Sequence, residues 1–159
     1  MQNHSTAQQI GQALLQRKQW LALAESCTGG LIAKQVTDVA GSSGWFERGL
    51  VTYSNRAKQD LLFVPESLLI EHGAVSESCA LAMVTGLLRN SPADWGIAVT
   101  GIAGPDGGSA EKPVGTVWLG LLHRGSKAEA RRYQFDGNRE AVREQTAQTA
   151  LQWLQQNLA

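Results

Sequence analysis

The sequence has no excess of charge of either sign. Lys and Arg together number 14, as do Asp and Glu, so the formal net charge is +0 at pH 7. Proteins that bind nucleic acid or an anionic membrane surface through their overall field are usually strongly basic. We therefore expect no nucleic-acid partner and no membrane partner. The charge balance favours a small molecule, neutral to anionic, that is bound by local groups.

Long hydrophobic runs are also absent. The chain contains no apolar stretch of about 18 residues, the length that predicts a transmembrane helix. Residues 1–9 are polar where a secretory signal would have an apolar core. We therefore expect a protein that is neither inserted into a membrane nor exported, and the expected location is the cytoplasm.

Cysteine and histidine are scarce. The two cysteines, Cys27 and Cys79, are too few for a disulfide framework. They do not form a Cys-x-x-Cys motif, and His4, His72 and His123 occur singly, so no zinc-ligand spacing is present. We expect no metal site.

The chain does contain enough apolar material to form a core. At 159 residues and 43% hydrophobic content, it needs no disulfide or metal to fold, and we expect a single domain over residues 1–159. Strand and helix patterns alternate early, and two strands, residues 114–123 and 129–135, then form a hairpin before a long closing helix. This order predicts an α/β protein, namely a three-layer α/β/α domain with a mixed sheet of about five strands.

The stretch at residues 20–30 contains the centre of the predicted site. An apolar run of strand length, residues 20–24, is followed by small and polar residues, and helical spacing begins at Leu31. A strand, a tight turn and a helix are therefore predicted, with a crevice at the turn that receives Ser26, Cys27 and Thr28. The helix start can bind an anion or oxyanion. Alternatively, Ser26 or Thr28 simply caps the helix while Gly29 and Gly30 relieve crowding.

A serine nucleophile at this turn needs a base, and the three histidines are poorly placed for that role. Lys58 follows the second predicted strand, residues 45–53. If that strand neighbours the first, the Lys58 amine and the Tyr53 hydroxyl reach the crevice that holds Ser26. Such a lysine must be neutral, so burial or a positive neighbour has to lower its pKa from about 10.4. Two alternatives stay open: Lys58 is a solvated surface residue, or Cys27 is the nucleophile through a thiol pKa lowered at a helix N-terminus.

The segment at residues 101–109 is the least ordinary loop of the chain, with four glycines in eight residues. It lacks the ending of a P-loop and the spacing of a dinucleotide fingerprint, so ATP or NAD binding is not predicted. Because it directly follows an apolar strand that ends at Thr100, its backbone, including Gly101 and Gly104, can line the same crevice. A flexible connector is the alternative. Arg139, at the start of the last helix, has the chemistry to bind a phosphate bidentately, although a surface arginine explains it equally well.

Several longer motifs occur in order along nearly the whole chain. They are Ala-Glu-Ser-Cys-Thr-Gly-Gly at 24–30, Ala-Gly-Ser-Ser at 40–43, Trp-Phe-Glu-Arg-Gly at 45–49, Val-Thr-Tyr-Ser-Asn at 51–55, Lys58, His-Gly-Ala-Val-Ser at 72–76, Thr-Gly-Ile-Ala-Gly-Pro-Asp-Gly-Gly-Ser at 100–109 and Lys-Pro-Val-Gly-Thr-Val-Trp at 112–118. Together they resemble the family of the competence-damage-inducible protein A C-terminal domain. The ordered set is far more specific than any one motif.

The resemblance implies both an activity and a site. The activity is hydrolysis of the carboxamide of nicotinamide mononucleotide to nicotinic acid mononucleotide and ammonia, with no metal or organic cofactor. The implied nucleophile is Ser26, assisted by Lys58 and Tyr53. With this chemistry we expect substrate-binding roles for Cys27, Thr28, Gly29, Thr100, Gly101, Gly104 and Arg139. The alternatives are a nucleotide-binding or regulatory module without catalysis and an amidase for another pyridine amide.

Two further expectations concern assembly and domain content. We expect a homo-oligomer. Some family members carry an additional N-terminal domain, and we do not expect the activity of that domain here because the chain is too short to contain it.

Overall fold

The structure, a computed structural model, describes residues 5–159. Within this range the chain forms six α-helices and five β-strands. The helices are α1 Thr6–Arg17, α2 Leu31–Thr37, α3 Asn55–Leu62, α4 Glu66–His72, α5 Glu77–Arg89 and α6 Arg139–Leu158, and the strands are β1 Leu21–Glu25, β2 Phe46–Val51, β3 Trp95–Gly101, β4 Thr116–His123 and β5 Glu129–Gln134. His4, one of the three single histidines, lies outside the described residues.

The five strands form one mixed sheet in the order β2-β1-β3-β4-β5. Strand β1 pairs in parallel with both β2 and β3. Strands β3, β4 and β5 are antiparallel, and β4 and β5 form the predicted hairpin. The predicted α/β fold with a mixed five-stranded sheet is therefore confirmed, and the first two strands of the chain are neighbours.

Helices cover both faces of the sheet. Side chains of a strand alternate between faces, and in β1 the residues Leu21 and Leu23 join the core beneath α1, α2 and α6. The small residues Ala22 and Ala24 face the core beneath α3, α4 and α5. The result is the predicted three-layer arrangement.

Helix α3, which carries Lys58, is held close to α5. A Cβ atom added at Gly86 of α5 would lie 1.7 Å from the carbonyl oxygen of Leu62, the last residue of α3. Only glycine permits this approach. At its other end, α3 is capped by Ser54, whose hydroxyl accepts a hydrogen bond from the Ala57 amide at 3.0 Å. Both ends of the helix are thus fixed, and with them the position of Lys58.

Two strand boundaries differ from the prediction by two residues, and the others by at most one. Strand β4 begins at Thr116 rather than at residue 114, because Gly115 adopts a φ of +93° and a turn joins Pro113 to Thr116. Strand β2 ends at Val51, although the Thr52 amide still donates to the Glu25 carbonyl at 2.8 Å. The chain therefore leaves the sheet just before Tyr53. Across the described residues, no helix combines the length and the apolar character needed to span a membrane.

Candidate active site

A cavity of about 270 Å³ opens at the carboxyl ends of β1 and β3. Besides Ala74, Val75 and Arg139, three segments line it. They are the turn after β1 (residues 26–30, the nucleophile turn), the segment after β2 that leads into α3, and the loop after β3 (residues 101–109, the glycine loop). Its lining comprises Ser26, Cys27, Tyr53, Asn55, Lys58, Ala74, Val75, Thr100, Gly101, Ile102, Ala103, Gly104, Asp106, Gly107 and Arg139. A larger cavity, about 440 Å³, lies between α1, α2 and α6, but its described lining contains no lysine, arginine or cysteine.

Ser26 and Lys58 meet at the base of the smaller cavity. Lys58 Nζ lies 3.0 Å from Ser26 Oγ. The same nitrogen lies 3.0 Å from the Thr52 carbonyl oxygen and 3.1 Å from the Tyr53 carbonyl oxygen. A neutral amine in this position donates its two hydrogens to the two carbonyls, and its lone pair then faces the serine hydroxyl. The geometry matches that of a nucleophile and its base.

The surroundings of Lys58 favour the neutral form of its amine. The residue is 1% exposed, and burial, the largest effect, lowers the pKa of Lys58 below its ordinary value of 10.5, while Cys79 and Cys27 act in the opposite direction. Burial also raises the pKa of each of those thiols to about 11, so both are uncharged near neutral pH. Neither thiol then offers the lysine a counterion.

The raised pKa of Cys27 also bears on which residue is the nucleophile. A thiol at a helix N-terminus can be activated through a lowered pKa, but burial dominates here and moves the pKa to about 11. The thiol therefore stays protonated near neutral pH. Ser26, whose hydroxyl contacts an amine, is the better-placed nucleophile.

The nucleophile turn is capped by a residue that the sequence did not single out. The Glu25 carboxylate accepts hydrogen bonds from the Thr28 hydroxyl at 2.6 Å and from the amides of Ile32 and Ala33 at 2.9 and 3.0 Å. The expectation that Ser26 or Thr28 caps α2 is therefore wrong, since Glu25 takes that role. The first amides of α2 are occupied and do not offer an anion site.

Other amides of the nucleophile turn remain available. The Gly29 amide donates to the Ser26 carbonyl at 3.0 Å, and neither Thr28 nor Gly29 lines the cavity. Within the described residues, the backbone amides of Cys27 and Thr28 donate no hydrogen bond to another residue. These two amides are the free donors next to Ser26.

Tyr53 contributes to the site mainly through its backbone. Its side chain is 60% exposed, and its hydroxyl accepts a hydrogen bond from Arg139 Nη2 at 3.2 Å. Its carbonyl oxygen, in contrast, contacts both Lys58 and the Ser26 hydroxyl, the latter at 3.4 Å. The structure thus brings Tyr53 to the cavity, while the hydroxyl points to Arg139 rather than to the lysine.

The glycine loop forms the opposite wall. Thr100 is buried, and its hydroxyl donates to the Ala74 carbonyl at 2.8 Å. Gly104 has a φ of +85°, and an added Cβ would lie 2.4 Å from Val114 Cγ1, so no other residue fits without rearrangement. Arg139 Nη1 donates to the Gly104 carbonyl at 2.7 Å. Arg139 therefore joins the glycine loop to Tyr53 across the mouth of the cavity.

Sequence reasoning missed further residues. Besides Glu25, these are Asn55 and Asp106 in the cavity lining and Arg143, which donates to the carbonyls of the nucleophile turn. For Arg143 a signal was present, because it lies four residues after Arg139 in a helix and hence on the same face. The other three carry no pattern of their own.

Known proteins resemble this chain over nearly its whole length. The model of the CinA C-terminal domain matches residues 3–158. The chain is 55% identical over 149 residues to nicotinamide-nucleotide amidohydrolase PncC of Enterobacter agglomerans and 52% identical over 150 residues to the protein of that name in Escherichia coli. Each match covers 94% of this chain and 91% of the relative. A CinA-like protein of Geobacter sulfurreducens is 59% identical over 138 residues, which are 87% of this chain and 33% of that protein.

Solved structures show the same architecture. A CinA superfamily protein from Klebsiella pneumoniae superposes with a TM-score of 0.93 at 40% identity, covering 99% of this chain and 98% of that one. A competence/damage inducible protein from Agrobacterium tumefaciens gives a TM-score of 0.89 at 41% identity, with the same coverage of 99% and 98%.

Proposed function

The chain belongs to the CinA C-terminal domain family, and from that premise we propose that it hydrolyses the carboxamide of nicotinamide mononucleotide to nicotinic acid mononucleotide and ammonia. The observation that carries this proposal is the 3.0 Å contact between Lys58 Nζ and Ser26 Oγ at the base of a cavity. The relatives named nicotinamide-nucleotide amidohydrolase PncC, which match over most of their length, support the choice of substrate.

The first step is nucleophilic attack. Neutral Lys58 accepts the proton of the Ser26 hydroxyl while Oγ forms a bond to the amide carbon. The electron pair of the carbonyl moves onto its oxygen. Because the Thr52 and Tyr53 carbonyls hold the ammonium that results, Lys58 does not need to move during the transfer.

The charge that develops on the carbonyl oxygen needs donors. The free amides of Cys27 and Thr28 lie directly after the nucleophile in the chain, where donors of an oxyanion hole are typically found in acyl transfer. We assign this role first to the Cys27 amide, whose residue lines the cavity, and second to the Thr28 amide, whose residue follows in the turn but does not line the cavity. The Gly29 amide is not included, since it is bound to the Ser26 carbonyl.

Collapse of the tetrahedral intermediate breaks the carbon–nitrogen bond. Lys58 returns its proton to the departing nitrogen, which leaves as ammonia and gives a Ser26 ester. Water then attacks the ester while Lys58 accepts its proton, and Lys58 passes that proton to Ser26 Oγ as the carbon–oxygen bond to serine breaks and the acid is freed. A role for the Tyr53 hydroxyl in delivering the proton stays a prediction, because that hydroxyl has to leave Arg139 to reach the nitrogen.

The remaining parts of the substrate are assigned to the mouth of the cavity. Arg139 has the planar, bidentate donor set that phosphate prefers, and it already lies against Gly104 of the glycine loop. We assign the ribose phosphate to Arg139 and the glycine-loop backbone. The cytoplasmic location, the homo-oligomer and the absence of a nucleic-acid partner stay predictions. The zero net charge supports the last of the three.

Ammonia release tests this function directly. The purified protein is incubated with nicotinamide mononucleotide, free nicotinamide and NAD, and we expect ammonia from the mononucleotide at a rate that far exceeds those of the other two. The Ser26→Ala variant should be inactive, whereas Cys27→Ala should keep turnover within about tenfold because only its backbone amide takes part. Preference for another pyridine amide would shift the substrate assignment. A folded wild-type protein that binds the mononucleotide without releasing ammonia would instead be a binding module, and Cys27→Ala as the only inactive variant would refute the serine assignment.

A further inference from the structure

Helix α6 reaches the nucleophile turn through Arg143. Its Nε donates to the Cys27 carbonyl at 3.1 Å, and its Nη2 donates to the Thr28 carbonyl at 2.9 Å. The side chain is half-buried. One guanidinium thus binds two successive carbonyls directly after Ser26.

We propose that Arg143 is a positioning residue that aims and polarises the oxyanion-binding amides of the nucleophile turn; this inference rests on the proposed function. In a planar trans peptide the carbonyl and the N–H of one unit point in opposite directions. The Cys27 carbonyl shares its peptide unit with the Thr28 amide. A cation that holds the carbonyl therefore turns the Thr28 N–H away from α6 and increases the positive charge on that hydrogen.

The second contact of Arg143 closes the turn. The Thr28 carbonyl shares its peptide unit with the Gly29 amide, which donates to the Ser26 carbonyl. The Ser26 carbonyl in turn shares its unit with the Cys27 amide. Arg143 thus determines the orientation of the Thr28 amide directly and that of the Cys27 amide through one intervening hydrogen bond.

The close approach at Gly29 indicates how tightly the turn and the guanidinium are packed. A Cβ added at Gly29 would lie 3.3 Å from Arg143 Nη2, and its φ of +59° favours glycine as well. On the other side of the turn, the Glu25 carboxylate holds the Thr28 hydroxyl. The donors are thereby fixed from two directions, as preorganised oxyanion stabilisation requires.

The fork of the guanidinium is essential to this role. Two carbonyls bound through two different nitrogens match the planar donor set of arginine, whereas a lysine ammonium is a single point on a flexible stem. Arg139, one helical turn earlier, instead faces the cavity mouth. We therefore assign Arg139 to substrate binding and Arg143 to orientation of the nucleophile turn.

The test compares Arg143→Ala with a matched control at Arg124. Arg124 also uses its guanidinium to hold backbone carbonyls, those of Leu88, Ser91 and Ala93 at 2.6–2.9 Å, but these carbonyls lie away from the cavity lining. We expect Arg143→Ala to lower kcat for nicotinamide mononucleotide by about 10- to 100-fold with KM changed less than about threefold. Arg124→Ala should lower thermal stability and keep kcat within about twofold. Millimolar guanidinium should restore part of kcat in Arg143→Ala and nothing in Arg124→Ala.

Each outcome either supports or overturns the positioning role of Arg143. If Arg143→Ala does not fold, Arg143→Lys replaces it, with kcat reduced by about tenfold because one of the two carbonyls loses its donor. Wild-type kcat in a folded Arg143 variant, or a change in KM alone, would overturn the positioning role while leaving the amidase assignment intact. A wild-type protein that releases no ammonia would overturn the proposed function and this inference with it.

Discussion

The nucleophile turn and the glycine loop follow neighbouring parallel strands at the same edge of the sheet, yet the protein holds them very differently. The nucleophile turn is fixed by Glu25 on one side and Arg143 on the other, and the Ser26 amide also donates to the Val99 carbonyl of β3 at 3.1 Å. In the glycine loop, residues 105–109 are exposed. The hydrogen bonds that side chains make with this loop include the one from Arg139 to the Gly104 carbonyl and the one from the Lys112 amide to Ser109 Oγ.

This difference separates two tasks within one cavity. Groups that make and break bonds must already be in place, because their reorganisation would add to the barrier. Groups that admit a substrate need access and some freedom to close around it. The nucleophile turn meets the first requirement and the glycine loop the second. Changes beside the turn should therefore lower kcat, and changes beside the loop should raise KM.

The largest effect is expected at Lys58, which joins α3 to the nucleophile turn. Lys58→Met removes the proposed base but keeps an apolar stem of similar length, and we expect kcat for the mononucleotide to fall by about 10²- to 10⁴-fold. Lys58→Arg is the control for charge, since a guanidinium stays protonated and cannot act as a base. It should be as inactive as the methionine variant. Ammonia release together with circular dichroism measures both activity and folding; either variant turning over at near-normal rate would remove Lys58 from the mechanism.

A smaller effect is expected at Arg139, which ties the glycine loop to Tyr53. Arg139→Gln should raise KM for nicotinamide mononucleotide by about 10- to 100-fold with kcat nearly unchanged, because charge-assisted hydrogen bonds to phosphate are worth about 1.5–3 kcal/mol. The same change should leave the nucleoside that lacks the phosphate unaffected.

The control for Arg139 is Arg132, an exposed arginine of β5 that donates to the Glu111 carbonyl at 3.1 Å. It lies outside the cavity lining, so Arg132→Gln should keep the wild-type KM. Equal KM values for both variants, or a loss for the nucleoside as large as for the nucleotide, would assign the phosphate to other groups.

Much of the fold follows from periodicity alone. Strand β1 is a continuous apolar run, as buried parallel strands are, and the helical spacing that begins at Leu31 predicted the start of α2. The boundary errors at β2 and β4 have a common cause. Strand preference extends through residues such as Tyr53 and Val114, whereas the end of a strand is set by hydrogen bonding to its neighbour.

The site was less accessible to sequence reasoning. The pairing of Ser26 with Lys58 depended on β2 lying beside β1, which no local pattern determines. Glu25 looks like the polar end of a strand, and its role as the cap of α2 depends on a carboxylate reaching forward to the amides of Ile32 and Ala33. For Tyr53, sequence reasoning could consider only the side chain, while the structure uses its carbonyl oxygen.

The smallest effect concerns how the burial of Lys58 makes the stability of the protein depend on pH. Burial lowers the pKa of Lys58 below 10.5 in the folded protein, while the unfolded chain keeps an ordinary value near 10.4. At pH values between the folded and the unfolded pKa of Lys58, the unfolded state binds one more proton than the folded state. The free energy of unfolding therefore rises with pH there, by up to about 1.4 kcal/mol per pH unit. Below the folded pKa both states are protonated and this slope vanishes.

The difference in unfolding free energy between wild type and Lys58→Met, measured by urea denaturation from about pH 6 to pH 9, isolates the lysine because the other titrating groups are shared. We expect this difference to rise with pH in favour of the wild type. The range stops at about pH 9 because burial raises the pKa values of Cys27 and Cys79 from 9.0 to about 11, so both thiols lower the stability above that pH. Lys58 also acts on both thiol pKa values, so this fall does not cancel between the two proteins. A flat difference over the whole range would mean that Lys58 stays charged in the folded protein, and the nucleophile turn would then lack its base.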